Sequence, residues 1–251
     1  MVLGMNVEAS GDVSAAEATA VLARRIADKS AALARIAAGV AHELRNPLAV
    51  ILARAQLLVL GLRQGRTPDP EKIETVLKTI EAQAIRAAKI VENLSVFARP
   101  RPPEIDSVDT AAVVEDVLSA LGERVETSGA AVEVAIERAP VMIVADREQL
   151  ATALEQIVAN ALEAMESGGR VTVRVRRSGD SVEIAVADTG PGVAAHHAER
   201  IFDPFFSTKT AAAGLGLCVA QTIAEAHGGG LRLVAAGGAG AEFVLSLPAG
   251  A

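Results

Sequence analysis

The chain has 251 residues, 51% of them hydrophobic but only 2% aromatic, with no Trp or Tyr, so a sizeable core must be assembled from Ala, Val, Leu and Ile. A formal charge of -7 argues against nucleic acid as a main partner, because phosphate contacts need clustered Lys and Arg. The single cysteine, Cys218, excludes a disulfide framework and a thiolate metal site, and reads as a small buried hydrophobe.

There is no signal peptide and no apolar run approaching the ~20 residues of a membrane span, so the chain reads as cytoplasmic, without direct membrane insertion. Residues 1–22 are small and polar and read as a lead-in. They are too short for a sensory domain, so input is expected from a separate protein or from a sensory domain missing from this sequence.

Residues 23–99 form the first predicted domain. Apolar residues at Ile26, Leu33, Ile36, Val40, Leu44, Ile51, Ala55, Leu58 and Leu62 step by threes and fours, one buried stripe on a long helix. A turn follows over residues 65–70, rich in Gly and Pro. Ile73, Leu77, Ile80, Ala84, Ala87, Val91, Leu94 and Ala98 then alternate steps of four and three, the repeat of a supercoiled packing seam. Two helices joined by a short turn make a hairpin. Pairing two copies into a four-helix bundle buries the apolar surface that a lone hairpin leaves wet, so a homodimer is expected.

Residues 100–103 are a proline-rich linker that stops the helix, and residues 104–251 form the second domain. There the spacing predicts helices over 110–121, 146–166 and 214–227, and strands over 132–137, 141–145, 170–177, 181–187, 231–235 and 242–247. Helices and mostly hairpin-linked strands in this order predict a two-layer α/β sandwich, making the whole chain α+β.

His42-Glu43-Leu44-Arg45-Asn46-Pro47 lies in the middle of the first helix. His42 is two residues from both Val40 and Leu44, roughly 200° around the helix from the stripe, and so faces solvent. A neutral imidazole offers a nucleophilic nitrogen, and the Glu43 carboxylate can take or orient its other proton. Asn46 is one turn beyond His42 on the same face. Pro47 removes a helical hydrogen bond at a cost of about 3 kcal/mol, which favours a functional reason for its presence over a chance exposed histidine.

In the second domain, Asp188-Thr189-Gly190-Pro191-Gly192 follows a strand and combines a carboxylate with a loop that lets backbone approach a ligand; taken alone it is also a good turn. Gly214-Leu215-Gly216 opens a helix whose free amides and dipole suit phosphate oxygens, or is a Gly-rich loop without a ligand. Asn160 is a mid-helix amide whose oxygen suits Mg2+. Lys209 reads as a phosphate contact or a solvated lysine, and the phenylalanines of residues 202–206 as packing for a lid. His196, His197 and His227 lack acidic or cysteine partners for a metal and read as surface or loop-end residues.

Ala41-His42-Glu43-Leu44-Arg45-Asn46-Pro47-Leu48, with the three downstream motifs in the same order, resembles the sensor histidine kinases of two-component systems, over about residues 25–248. That resemblance implies a dimerisation and phosphoacceptor domain followed by a gyrase-like ATP-binding domain. His42 would be autophosphorylated from ATP, Glu43 would assist the transfer, and Asn46 would serve dephosphorylation of a response regulator. It also implies that Asp188 accepts from the adenine amino group with Gly190 and Gly192 behind it, that Asn160 ligates Mg2+, and that Lys209, Gly214 and Gly216 lie at the phosphates. The implied partner is a response regulator receiver domain, whose aspartate takes the phosphoryl group. Two departures stand out: Gln156 where relatives often carry a second Asn, and a short lid without glycine between Lys209 and Gly214. They keep open a histidine phosphotransfer protein with a degenerate ATP site. A gyrase-like ATPase is the other alternative, and it leaves the His42 box unexplained.

Overall fold

The computed structural model describes residues 37–65, 69–98, 101–137, 141–165, 168–209, 214–235 and 240–250. The expected lead-in and the beginning of the first helix lie outside the described residues. Contacts group the chain into two compact units, residues 1–83 and 84–251.

In the first unit, helix α1 (Ala37–Arg63) leads through a turn at Gly65 (φ 70°) into helix α2 (Pro70–Ala98), giving the expected helical hairpin. On α1 the covered positions include Val40, Leu44, Pro47, Ile51, Ala55, Leu58 and Gly61, spaced by threes and fours, with Gly39 and Glu43 beside them. Pro47 thus fills a slot in the buried stripe. The stripe ends at Gly61 instead of Leu62, which is 60% exposed. Leu48, Leu52 and Val59 join Leu62 on an uncovered second stripe. Being rich in Ala and Leu and sparse in charge, α1 is long and apolar enough to cross a membrane by length and composition. This corrects the expectation that no stretch qualifies.

The seam on α2 divides in two. Ile73, Ile80, Ala87 and Leu94 are covered, whereas Leu77, Ala84 and Val91, spaced by seven, are exposed. Asn93 is 7% exposed, and its Oδ1 has no hydrogen-bond partner among the described residues.

The second unit takes in the end of α2. Lys89 on that segment pairs with Glu155 at 3.2 Å, and Val96 packs on the core. Then come β1 (Asp106–Asp109), α3 (Thr110–Ala120), α4 (Gly122–Ser128), β2 (Ala130–Ile136), β3 (Met142–Ala145), α5 (Arg147–Glu163), β4 (Gly169–Ser178), β5 (Ser181–Asp188), α6 (Gly216–Ala226), β6 (Gly230–Ala235) and β7 (Glu242–Pro248). A five-stranded sheet runs β2-β4-β5-β7-β6, antiparallel except for the parallel β2–β4 pair, and β1 and β3 form a separate two-stranded ribbon.

Alternation on β4 explains the layering. Val171, Val173 and Val175 face a core shared with α3, α5 and α6, while Arg170, Arg174 and Arg176 face outward. The outward arginines meet glutamates on other strands: Arg170 with Glu133, Arg174 with Glu242, and both Arg176 and Arg232 with Glu183. Hydrogen bonds from Arg176, and burial working against them, leave the Glu183 pKa lowered.

Asp146 caps α5, its Oδ1 accepting from the amides of Glu148 and Gln149. Its Oδ2 accepts from the Arg101 guanidinium at 2.8 Å and the Glu104 amide at 3.0 Å, fastening the proline-rich segment to the domain. Burial works to raise the Asp146 pKa, but these amides and Arg101 outweigh it and hold it below the usual carboxylate value. His227, expected at the surface, is buried: Nε2 accepts from the Asp146 amide at 3.0 Å, and Nδ1 donates to the Ile223 carbonyl at 2.8 Å. It ends α6 as expected, yet its ring is an internal strut tying α6 to the start of α5.

Candidate functional site

Around Asp188 the second unit is built for a close approach of backbone. Asp188 ends the central strand β5 and is buried; its Oδ1 accepts from the Gly190 amide at 2.9 Å and the Ala241 amide at 3.3 Å. Among the described residues Oδ2 takes no further hydrogen bond. Thr189 Oγ1 accepts from the Arg170 amide at 3.0 Å and fixes the chain leaving the strand. A methyl group on Gly190 would lie 3.0 Å from the Ala164 carbonyl oxygen, and Gly192 has φ 74°. Gly240, which sequence reasoning missed, has φ 106° and lies against the Asp188 backbone so closely that a Cβ would overlap its carbonyl oxygen. The only signal in the sequence was one glycine among several near residue 240.

Asn160 projects from the last turns of α5. Its Oδ1 and its backbone oxygen both accept from the Lys209 ammonium, each at 3.0 Å. Glu163 Oε2 stands 3.8 Å from the same ammonium, while Glu163 Oε1 takes the Arg124 guanidinium at 2.7 Å. Burial pulls the Lys209 pKa below its ordinary value, opposed by the carboxylates of Glu163 and Asp188 and aided by Arg124. Asn160 Oδ1 therefore already holds a cation, and a hard amide oxygen in this position fits Mg2+. The Lys209 side chain meets Asn160, where the sequence suggested phosphate or solvent.

Helix α6 begins at Gly216, and among the described residues no side chain caps its first turn, where free backbone amides are exposed as at any helix start. Gly214, at φ 65°, accepts the Phe205 amide at 2.8 Å, and Phe205 itself has φ 63°. This bond joins Phe205 to Gly214; the short segment 210–213, expected to form a stiff lid, lies outside the described residues. Phe206 is stacked edge-on by His197 and covered by the Arg200 guanidinium at 4.5 Å, and Phe202 meets Phe243 in the core. The lid these rings were expected to pack lies outside the described residues; their contacts are with His197, Arg200 and Phe243. Gln156 Oε1 lies 2.9 Å from where a Cβ on Gly216 would stand, so the longer side chain at this departure reaches the start of α6.

In the first unit, His42 and Asn46 are exposed one turn apart on α1, and Glu43 is half-buried beside them. The histidine thus faces solvent, as the helical spacing predicted.

Comparison with known proteins gives this arrangement its context. Residues 32–103 match the family model described as the His Kinase A (phospho-acceptor) domain. Residues 145–251 match the Histidine kinase-, DNA gyrase B-, and HSP90-like ATPase. The signal transduction histidine-protein kinase AtoS of Escherichia coli (strain K12) is 36% identical over 88% of this chain and 36% of its own length. The sensor histidine kinase ZraS of Klebsiella oxytoca is 35% identical over 88% of this chain and 47% of its own length. The chain thus spans less than half the length of these curated relatives. Among solved structures, histidine kinase ThkA in complex with response regulator protein TrrA is similar in fold, with a TM-score of 0.71, 23% identity, and coverage of 90% of this chain and 65% of that one. Full-length ShkA in complex with AMPPNP has a TM-score of 0.64 and 28% identity, covering 86% of this chain and 46% of that one. Two family models in this order along one chain, and relatives of the same description aligned to nearly all of it, lead to one assignment: the chain carries the phospho-acceptor and ATPase domains of the histidine kinases.

Proposed function

We propose that this protein transfers the γ-phosphoryl group of ATP to His42 and then to an aspartate of a response regulator receiver domain. The observation that carries the proposal is the exposed His42 on α1, inside the region matching a phospho-acceptor domain. In the transfer, an imidazole nitrogen of His42 forms the bond to phosphorus as the bond to the bridging oxygen breaks, its electron pair leaving with ADP. Glu43 takes or orients the proton on the other ring nitrogen. Asp188 selects adenine through Oδ2, braced by the Gly190 and Ala241 amides. Gly192 gives the loop after Asp188 its turn, and the start of α6 at Gly214 and Gly216 receives phosphate oxygens. Asn160 is the residue to hold Mg2+, which when bound would neutralise phosphate charge. Asn46, one turn from His42, positions water for dephosphorylation of the regulator. Support for the nucleotide comes from the ATPase match and from the AMPPNP complex of a relative of the same fold.

The working unit is a homodimer. Leu48, Leu52, Val59 and Leu62 on α1 and Leu77 on α2 are exposed in the single hairpin, and a second copy would cover them. The same reading accounts for the apolar character of α1 without a membrane. ATP and a receiver domain as substrates put the activity in the cytoplasm.

Incubation with γ-labelled ATP tests the function. The expected product is labelled on His42, acid-labile and alkali-stable as a phosphoramidate is, and its label chases onto a receiver domain. Label that persists in His42→Gln would refute the assignment. Absence of ATP binding would favour a phosphotransfer protein that takes its phosphoryl group from elsewhere.

A further inference from the structure

Lys209 does something at Asn160 that neither its charge nor its sequence position announces. One residue, Asn160, offers the ammonium two oxygens at 3.0 Å, its amide Oδ1 and its backbone carbonyl. That carbonyl belongs to the last turns of α5, the negative end of the helix dipole. Glu163, one turn on, stands at 3.8 Å with the oxygen that Arg124 leaves unused. Two neutral oxygens, a carboxylate and a helix C-terminus around one point make a cation position, and such hard oxygen donors are also what Mg2+ requires.

We propose that Lys209 is the resident cation of this position in the nucleotide-free protein, that Glu163 oriented by Arg124 holds it there, and that metal–nucleotide binding exchanges one cation for the other. The inference rests on the nucleotide-site reading given above and adds Glu163 and Arg124 as positioning residues. It has a consequence for ligand choice. Lys209 stands at the base of the segment between Phe206 and Gly214, so an ammonium released from Asn160 stays tethered beside the phosphate end of the site. A γ-phosphate gives it a new partner, and ADP gives it none. The exchange therefore opposes metal-dependent ADP binding more than ATP binding.

The test is a Mg2+ titration at fixed ADP, and again at fixed ATP, using the full chain and a fluorescently labelled nucleotide, since the protein has no Trp. Lys209→Met should lower the Mg2+ concentration for half-maximal ADP binding several-fold, with a smaller gain or a loss for ATP. Glu163→Gln should shift the ADP midpoint in the same direction by less, and Lys209→Arg, which keeps the charge, should stay near the wild type. A Mg2+ midpoint for ADP that is unchanged or raised in Lys209→Met, while wild type and variant both bind nucleotide, overturns the exchange and leaves the nucleotide site standing. If the wild type binds neither nucleotide at any Mg2+ concentration, the nucleotide-site reading has failed and the exchange falls with it.

Discussion

Gly214 lies so close to Phe206 that a Cβ on the glycine would stand 2.6 Å from the Phe206 carbonyl oxygen. With φ at 65° the position is closed to side chains twice over, by conformation and by space. Gly214→Ala should cost about 1–2 kcal/mol in backbone strain and about 1–3 kcal/mol in overpacking, pushing Gly214 away from the Phe205–Phe206 backbone. Gly216→Ala should cost far less, since its Cβ would meet only the mobile end of Gln156. Calorimetric ATP titrations of the two variants, with Gly216→Ala repeated in a Gln156→Ala background, check the contrast. Equal losses at both glycines would count against it.

Asp188→Asn separates recognition from architecture. An asparagine oxygen can keep both amide hydrogen bonds now made by Oδ1, but its NH2 would present a donor to the adenine amino group. The expected result is a loss of about 1.5–3 kcal/mol in ATP binding, the worth of a hydrogen bond to a charged group, with thermal unfolding almost unchanged. Parallel binding and unfolding measurements decide it. Matched losses in both would make Asp188 structural.

The hairpin faces predict oligomeric state. Leu52 and Leu77 are 57% and 54% exposed in the single chain, so Leu52→Glu and Leu77→Glu leave a monomer's carboxylates in water. In a four-helix bundle the same carboxylates would be buried and unpaired, which opposes dimerisation. Sedimentation should find the wild type dimeric and both variants folded and monomeric. A monomeric wild type would remove the bundle.

Acid stability should report on Asp146. Its pKa is held below the ordinary 3.8, so its charge stabilises the fold above that pH, and the contribution fades as pH falls through the lower, folded-state value. Asp146→Asn keeps the helix cap and removes the charge. The stability gap between wild type and variant should be constant from neutral pH down to about 4, then narrow below it. Denaturant unfolding followed by far-UV circular dichroism measures the gap. A gap that narrows between pH 7 and 5 instead would assign the pH dependence to another group.

Periodicity made most of the framework legible, because steps of three and four or alternation by two follow directly from helix and strand geometry. The two elements it missed are weak in those terms: β1 is Asp-Ser-Val-Asp with one apolar residue, and α4 has seven residues and no capping side chain. The α2 repeat marked a seam without saying which half of it the chain's own packing covers. At the site, Asp188, Gly190 and Gly214 were readable because acceptor-plus-glycine patterns imply close backbone approach. Arg124, Glu163 and Gly240 were not, since their parts depend on neighbours 39, 46 and 52 positions away, which only the folded chain brings near. For Glu163 and Arg124 that separation is 39, for Lys209 and Glu163 it is 46, and for Gly240 and Asp188 it is 52. His227 was misjudged because a lone histidine carries no mark of whether both ring nitrogens will find backbone partners.

The arginine–glutamate pairs across the outer face of the sheet guard against a kind of misfolding that apolar patterning cannot. Sliding β4 past β5 by one residue would turn its valines to water, and hydrophobicity alone forbids that. Sliding it by two keeps every valine inside and would go unpunished by the core. The tight turn at Gly179, between paired Ser178 and Ser181, resists such an error at one end of the strands, and the outer charges register it along their length. In the native register Arg176 lies opposite Glu183, and a two-residue slip sets it against Ser181 or Ala185 instead. Glu183, shared by Arg176 and Arg232, ties the register of β4 to that of β6 through a single carboxylate. A surface that adds little to stability can in this way still act as a proofreader of strand alignment.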